Sequence, residues 1–313
     1  MRVGMTSMVA AVVFVATTAS AGPSEPPAPL FWDITAKTQG YYPRIRSLPA
    51  GVTDVYFTTG TSSDDVRWDV GHALEYSVPP GPTGYTKIGN AFEDYLVSEQ
   101  LLYHFPTNTT RPMTASGLSI HRDVAIWSNG SQLEYENVVS GASGTLTGLA
   151  GPSVGSVSNW ETWVAYTYDA GGVVGIGIQH IPTDTSLPGP YVHADSYHPH
   201  LSLGKLVYEL PAKDVLIWEY MGLPWTEQKV PLAKNCTDYR YPKIGGRWGQ
   251  LVAYQADCGG RYLFVANLDN GKVYFVDGIN TSNDVGFDIQ LERLTYSDPA
   301  GVVHLIRLDE LSM

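Results

Sequence analysis

A short motif that returns along the whole chain constrains this sequence more than any other feature. Tyr42-Pro43-Arg44-Ile45-Arg46-Ser47, Tyr85-Thr86-Lys87-Ile88-Gly89-Asn90 and Tyr241-Pro242-Lys243-Ile244-Gly245-Gly246 are its clear copies. Gly151-Pro152-Ser153-Val154-Gly155-Ser156 and His198-Pro199-His200-Leu201-Ser202-Leu203 are weaker, and Gly117-Leu118-Ser119-Ile120 and Gly286-Phe287-Asp288-Ile289 keep only the second half. The starts at 42, 85, 117, 151, 198, 241 and 286 lie 43, 32, 34, 47, 43 and 45 residues apart. Periods of about 40 to 50 residues belong to the blades of propellers.

Most copies are followed by a β-branched or aromatic run: Val55-Tyr56-Phe57, Val124-Ala125-Ile126-Trp127, Trp163-Val164-Ala165-Tyr166, Leu206-Val207-Tyr208 and Leu251-Val252-Ala253-Tyr254. These compositions read as strands. In the clearest unit two more strands follow, Tyr262 to Asn267 and Lys272 to Val276, joined by the turn Asp269-Asn270-Gly271. Asn-Gly between apolar runs is the strongest short hairpin signal, because both central residues take positive φ. One unit is therefore a four-stranded antiparallel meander, and such a unit buries its two faces only by stacking against copies of itself. The expected fold is an all-β propeller over residues 30–313, with seven blades favoured. Six would follow if a short unit at 117 or 151 is an insertion. The last unit is too short for four strands, so Leu30-Phe31-Trp32-Asp33-Ile34 is expected to supply its outer strand and close the ring between the two ends of the chain. The stretch from Ala91 to Phe105 also suits a helical face, which periodicity alone does not arbitrate.

The chain begins with Arg2, an apolar run over residues 8–18 and Ala19-Ser20-Ala21, the pattern of a cleaved export signal over residues 1–21. An apolar core of about 11 residues is too short for a membrane-spanning helix, which needs about 20. Residues 22–29 read as an extended Pro-rich leader. A secreted or periplasmic protein with no membrane span is expected. Export permits a disulfide between Cys236 and Cys258, the two cysteines of the chain. They sit just outside the ends of adjacent expected strands, and a bond would close a 23-residue loop. The sequons at Asn108, Asn129, Asn235 and Asn280 carry no functional weight.

The Tyr-Pro-Lys-Ile-Gly-Gly start at 241 with Leu251-Val252-Ala253-Tyr254, and its cousins at 198 and 151, resemble the repeats of TolB-like β-propellers. The likeness extends over about residues 40 to 300 and implies fold and export, not an activity. It departs from that family in lacking the usual Ser-Pro-Asp-Gly turn.

Charge narrows the function. Lys and Arg number 19 against 31 Asp and Glu, for a net charge of −12. Nucleic-acid partners are excluded on this balance, since their binding rests on clustered positive charge. The scarce cations nevertheless recur at one place: the residue before the repeat Ile or Val is Arg44, Lys87, Ser119, Ser153, His200, Lys243 and Asp288. Equivalent positions in successive blades ring the axis. Arg44, Lys87, His200 and Lys243 are thus candidate binders of an anionic ligand such as a carboxylate-bearing sugar; alternatively these side chains simply end a strand in water.

The densest polar cluster runs from His193 through Asp195, Tyr197, His198 and His200. His193, Asp195, His198 and His200 are candidate metal ligands, and His198 and His200 would share a face of an extended strand. Tyr197, His198 and His200 are also the candidate catalytic residues. The spacing matches no standard zinc motif, and an ordinary inter-blade loop is the competing reading; no cofactor is expected. Gly171 to Gly177 reads as a glycine-eased hairpin, not a nucleotide loop, because the Lys-Ser or Lys-Thr ending is absent. Trp32, Trp68, Trp127, Trp160, Trp163, Trp218, Trp225 and Trp248 are expected mostly between blades, with one or two available to stack on sugars. Two function classes follow. The favoured one is a monomeric, non-catalytic exported propeller binding a glycan or an extracellular protein on one rim. The alternative is a secreted polysaccharide lyase or glycoside hydrolase acting on an acidic polysaccharide.

Overall fold

The computed structural model describes residues 33–47, 53–58, 65–69, 74–77, 88–92, 95–98, 101–104, 106–107, 109–112, 117–147, 149, 151–181, 185–186, 193–220, 227–279 and 286–311. Among these, the helices are two 3₁₀ turns, Pro211–Lys213 and Asp309–Leu311. Everything else regular is strand, arranged in seven antiparallel sheets. Their first strands are Tyr41–Ser47, Ile88–Phe92, Gly117–His121, Ser153–Trp160, Tyr197–Ser202, Thr237–Gly245 and Phe287–Gln290. Six of these sheets run in chain order from the first strand outward as a meander, the fourth carrying a fifth short strand beside its third, and the seventh ends on a strand from the start of the chain. The first strand of each sheet lies beside the first strand of the next, and that of the seventh lies beside that of the first. The stretch open to a helical reading forms the strands Ile88–Phe92, Tyr95–Ser98 and Leu101–His104.

The seventh sheet takes its outer strand from the other end of the chain. Asp33–Gln39 pairs with Val302–Arg307, with Asp33 opposite Ile306 and Thr35 opposite His304. The strand begins three residues later than Leu30, and residues 30–32 lie outside the described part.

Register explains which repeat letters matter. Ile45, Ile120, Asn159, Leu201, Ile244 and Ile289 of the first strands stand opposite Val55, Ala125, Val164, Leu206, Val252 and Leu294 of the second. Two residues further along those second strands stand Phe57, Trp127, Tyr166, Tyr208, Tyr254 and Tyr296. All but Trp127 are buried, and Trp127 is half-buried against Leu118 and Ile120. Burying one such ring contributes about 2–3 kcal/mol. Tyr166, Tyr208 and Tyr254 share core clusters with Ile126, Ala165 and Val207 of the preceding sheets, so the ring at this step packs one sheet on the one before it. Close approaches elsewhere need glycine: a Cβ on Gly245 would come within 2.5 Å of Ile289 Cγ1 in the next sheet.

The Tyr-Pro and His-Pro dipeptides of the motif also acquire a meaning. Tyr42, His198 and Tyr241 have φ of 53°, 49° and 54°, and each lies at a shift of register between first and second strand. The dipeptide is a β-bulge that bends the first strand where it enters the sheet. The cysteines are bonded, with Cα atoms 4.4 Å apart, beside the paired residues Thr237 and Asp257. This cross-link suits an oxidising compartment. No helix among the described residues is long and apolar enough to cross a membrane.

Candidate functional site

The free edge of each first strand leaves backbone N–H groups that the ladder does not use, and a buried donor of this kind requires an acceptor. Side chains from the preceding sheet supply it. Asn159 N donates to Ser119 Oγ at 3.2 Å, Leu201 N to Ser158 Oγ at 2.9 Å, Ile244 N to His200 Nδ1 at 3.2 Å and Ile45 N to Asp288 Oδ2 at 3.0 Å. Where the position holds a cation the polarity reverses, and Lys243 Nζ donates to the Phe287 carbonyl at 2.7 Å. The residue before the repeat Ile therefore stitches one sheet to the next around the axis.

This geometry corrects the expected mouth in two respects. The ring member in the fourth sheet is Ser158, not Ser153. Lys87 lies outside the described residues. The side chains also do not end in water: Arg44 is 4% exposed, and the Lys243 and Asp288 side chains are 13% and 10% exposed. Arg44, His200 and Lys243 do converge, with Asp288 among them, because consecutive first strands present the same register position to the axis.

Burial dominates their titration. Desolvation, with Arg44 beside it, drives Lys243 down to about 7, against a 3.5 Å contact with Asp288 Oδ1 that acts the other way. Burial lowers the Arg44 guanidinium too, although arginine stays charged throughout. His200 falls to about 4, chiefly through burial and then through Lys243. It is a neutral imidazole at pH 7, and accepting from Ile244 at Nδ1 places its proton on Nε2. His121 in the third sheet behaves alike: Glu161 N donates to its Nδ1 at 2.9 Å, and burial takes it to about 4.

His198 and His200 do not act together. The bulge between Tyr197 and His200 breaks the strand alternation that would have put them on one face. His198 Nδ1 instead lies 3.0 Å from Glu209 Oε1, and its ring meets Tyr241 edge-on at 4.5 Å between centroids. Glu209 is 1% exposed; its Oε1 also accepts from Tyr241 N, and its Oε2 has no hydrogen-bond partner. His198 Nδ1 makes no hydrogen bond either, so the pair is a close contact between a buried carboxyl group and a half-exposed imidazole. Glu209 was invisible to motif reading because its relation to His198 exists only through strand pairing. Tyr197 is half-buried opposite Glu209. Asp195 is exposed with φ of 58°, and His193 lies in a short strand pairing with Ile176. Among the described residues no group of three His, Cys, Asp or Glu side chains could hold a metal ion.

A different feature stands on the opposite end of the sixth sheet's first strand. Trp248 is 71% exposed at the tip of a loop turned by Gly246 and Gly249 at φ of 84° and 66°. The loop is built: Trp248 N donates to Oε1 of buried Gln250 at 2.8 Å, and Lys205 Nζ donates to the Gly249 carbonyl at 2.8 Å. Lys205 also sits 4.9 Å from the ring centroid of half-exposed Tyr220, and Arg247 lies 5.4 Å from that of Trp248. Of the other tryptophans, Trp127, Trp160, Trp163 and Trp218 are buried or half-buried, while Trp32, Trp68 and Trp225 have no described side chain.

Antiparallel sheets of four or five strands, neighbouring through their first strands and packed through a repeated aromatic, have one architecture. The fold is a β-propeller. The solved structures agree at the level of fold. A catalytically inactive histidine-to-alanine variant of virginiamycin B lyase from Staphylococcus aureus, with quinupristin, superposes with a TM-score of 0.59 at 12% identity, covering 89% of this chain and 99% of that one. The Neurospora crassa Pan2 WD40 domain gives 0.58 at 10% identity over 86% and 89%. A chain of the mitotic checkpoint complex gives 0.57 at 12% identity over 98% of both. No family model matches the sequence, and no curated protein does.

Proposed function

We propose that this protein is an exported, seven-bladed propeller of the TolB-like repeat type, its ring closed by Asp33–Gln39, that binds a glycan or an extracellular protein on one face of the disc without catalysis. The observation that carries this reading is Trp248, a large aromatic held in water by a loop with its own internal hydrogen bonds. Water-exposed tryptophans on rigid supports are the anchors of recognition surfaces, because ring burial on binding is gained at little cost in ordering. Tyr220 and Arg247 extend the surface with a second ring and a cation, which suits sugars bearing carboxylates as well as protein side chains. The acidic ligand expected at the axis is thus better received here, where there is room for a ring. The test is a panel of neutral and acidic glycans and candidate extracellular proteins titrated against wild type and Trp248→Ala. Binding at least tenfold weaker in the variant, with unchanged thermal stability, is expected; equal binding by both proteins would refute the assignment.

A second reading, a secreted lyase or hydrolase of acidic polysaccharides, is favoured by one observation, the His198–Glu209 contact at 3.0 Å. In it His198 exchanges the proton, Glu209 orients the ring and Tyr197 flanks the substrate, while His200 has no part because its Nδ1 is engaged. A histidine is also the residue replaced in the inactive virginiamycin B lyase variant of the same fold. Release of unsaturated or reducing ends by wild type but not by His198→Ala is the result this reading requires.

A further inference from the structure

We propose that the cleft between the second and third sheets binds one neutral pyranose unit, at a site separate from Trp248 in the sixth. A cavity of about 430 Å³ opens there, inside the range of about 300–1,000 Å³ usual for small-molecule sites. Its described walls differ in chemistry. Leu102, from the third strand of the second sheet, makes one apolar side with Val138 and Val139, from the turn that follows Leu133–Asn137 of the third sheet. His104, Thr109, Thr110 and Arg111, on the third and outer strands of the second sheet, make the polar side. A pyranose ring divides its surface in the same way, with C–H groups on its faces and hydroxyls around its edge.

Both sides are held in place by the protein itself. Val139 is 68% exposed, yet its N–H and that of Ser140 donate to Asn137 Oδ1 at 3.2 and 2.8 Å, and Gly141 N donates to the Asn137 carbonyl at 2.8 Å. Val138 N donates to the Asp123 carbonyl at 2.7 Å, and its side chain packs against the cluster of Leu102, Leu118, Ile120 and Ala125. A built turn therefore keeps an apolar side chain in water. Opposite it, Arg111 Nη1 donates to Glu136 Oε1 at 2.5 Å across the two sheets, and His104 Nδ1, Thr107 Oγ1 and Thr109 Oγ1 form a line with steps of 2.7 Å. Groups ordered before binding cost little to order on binding. Charge then selects among sugars. Arg111 already has the Glu136 carboxylate, and the chain carries −12, so a uronate would meet an arginine whose charge is compensated. A neutral sugar is not disfavoured in this way, and a guanidinium has five N–H donors, more than Glu136 engages, to offer its hydroxyls.

The experiment measures saturation-transfer NMR signals on the full-length protein and its Val139→Asp and Trp248→Ala variants. The probes are methyl glucoside, methyl galactoside, methyl mannoside and N-acetylglucosamine, with glucuronate as the anionic control, each at about 50 mM, which fills a site of millimolar Kd. At least one neutral sugar is expected to give a signal with wild type and with Trp248→Ala. That signal should fall about fivefold or more in Val139→Asp, which puts a charge on the apolar side at an exposed position and should leave Tm unchanged. Silence from every neutral sugar overturns the site, and so does an equal signal in wild type and Val139→Asp. A glucuronate signal stronger than that of every neutral sugar overturns the ligand class. A signal lost in Trp248→Ala but kept in Val139→Asp would overturn this site and leave the Trp248 surface standing, so the two readings fail separately.

Discussion

The backbone N–H of Ile45 donates to Oδ2 of Asp288 at 3.0 Å across 243 residues of chain, joining the first sheet to the seventh. The same carboxylate receives Lys243 from the sixth, so one side chain ties three sheets at the axis. Asp288→Ala removes the acceptor and leaves two buried cations together. A loss of about 3–5 kcal/mol is expected, the range for breaking a buried pair from one side. Asp288→Asn, which keeps an oxygen for Ile45, should cost less. Urea unfolding at pH 7.5 measures both, and a cost under about 1 kcal/mol for the alanine variant would contradict this account.

Acid should unfold the protein through its buried imidazoles. His121 and His200 bind protons near 4 in the folded chain but near 6.5 once unfolded. Between those values the unfolded state holds more protons, so stability falls as pH drops from 6.5 towards 4. Each group contributes on the order of 3 kcal/mol to that loss. Replacing both by Gln should flatten the stability profile in this window, as followed by thermal unfolding at intervals between pH 4 and 7.5.

The bond between Cys236 and Cys258 clips the start of one strand to the end of its neighbour. Its loop of 22 residues' separation restricts the unfolded chain, which is worth about 3 kcal/mol in the chain-entropy account. Wild type under reducing conditions and the Cys236→Ser, Cys258→Ser double variant should lose similar stability while keeping their far-ultraviolet spectrum. Loss of all strand signal would show that the sixth sheet depends on the bond to form.

Gly245 marks the closest approach of sheets six and seven, where an added Cβ would sit 2.5 Å from Ile289 Cγ1. Gly245→Ala should therefore destabilise by about 1–3 kcal/mol, the range for overpacking a filled interior. Removing the obstacle in Gly245→Ala, Ile289→Ala should cost less than the two single substitutions together. Additive costs in that double variant, measured by chemical unfolding, would place the strain elsewhere.

Much of the architecture was legible in the chain. Second strands announced themselves by composition, and the recurring aromatic at Tyr166, Tyr208 and Tyr254 is the residue that packs each sheet on the one before it. The site was less legible, and Ser153 shows why. The repeat letters place Ser153 in the ring, whereas the register that decides which residue faces the axis is counted back from the hairpin turn. Counting from the turn selects Ser158 instead. The bulge at His198 had a similar effect: it undid the alternation that made His198 and His200 partners, and gave His198 to Glu209.

By itself the sequence determined the strands, their meander connection and their repetition, because alternation, turn residues and β-branched runs act within a few residues of one another. Only the tertiary structure decided that the scarce cations Arg44 and Lys243 are withdrawn from water and set beside one carboxylate, while Trp248 is left in it. Desolvation at an axis is a property of sheets assembled around it, and no single repeat contains the neighbours that produce it.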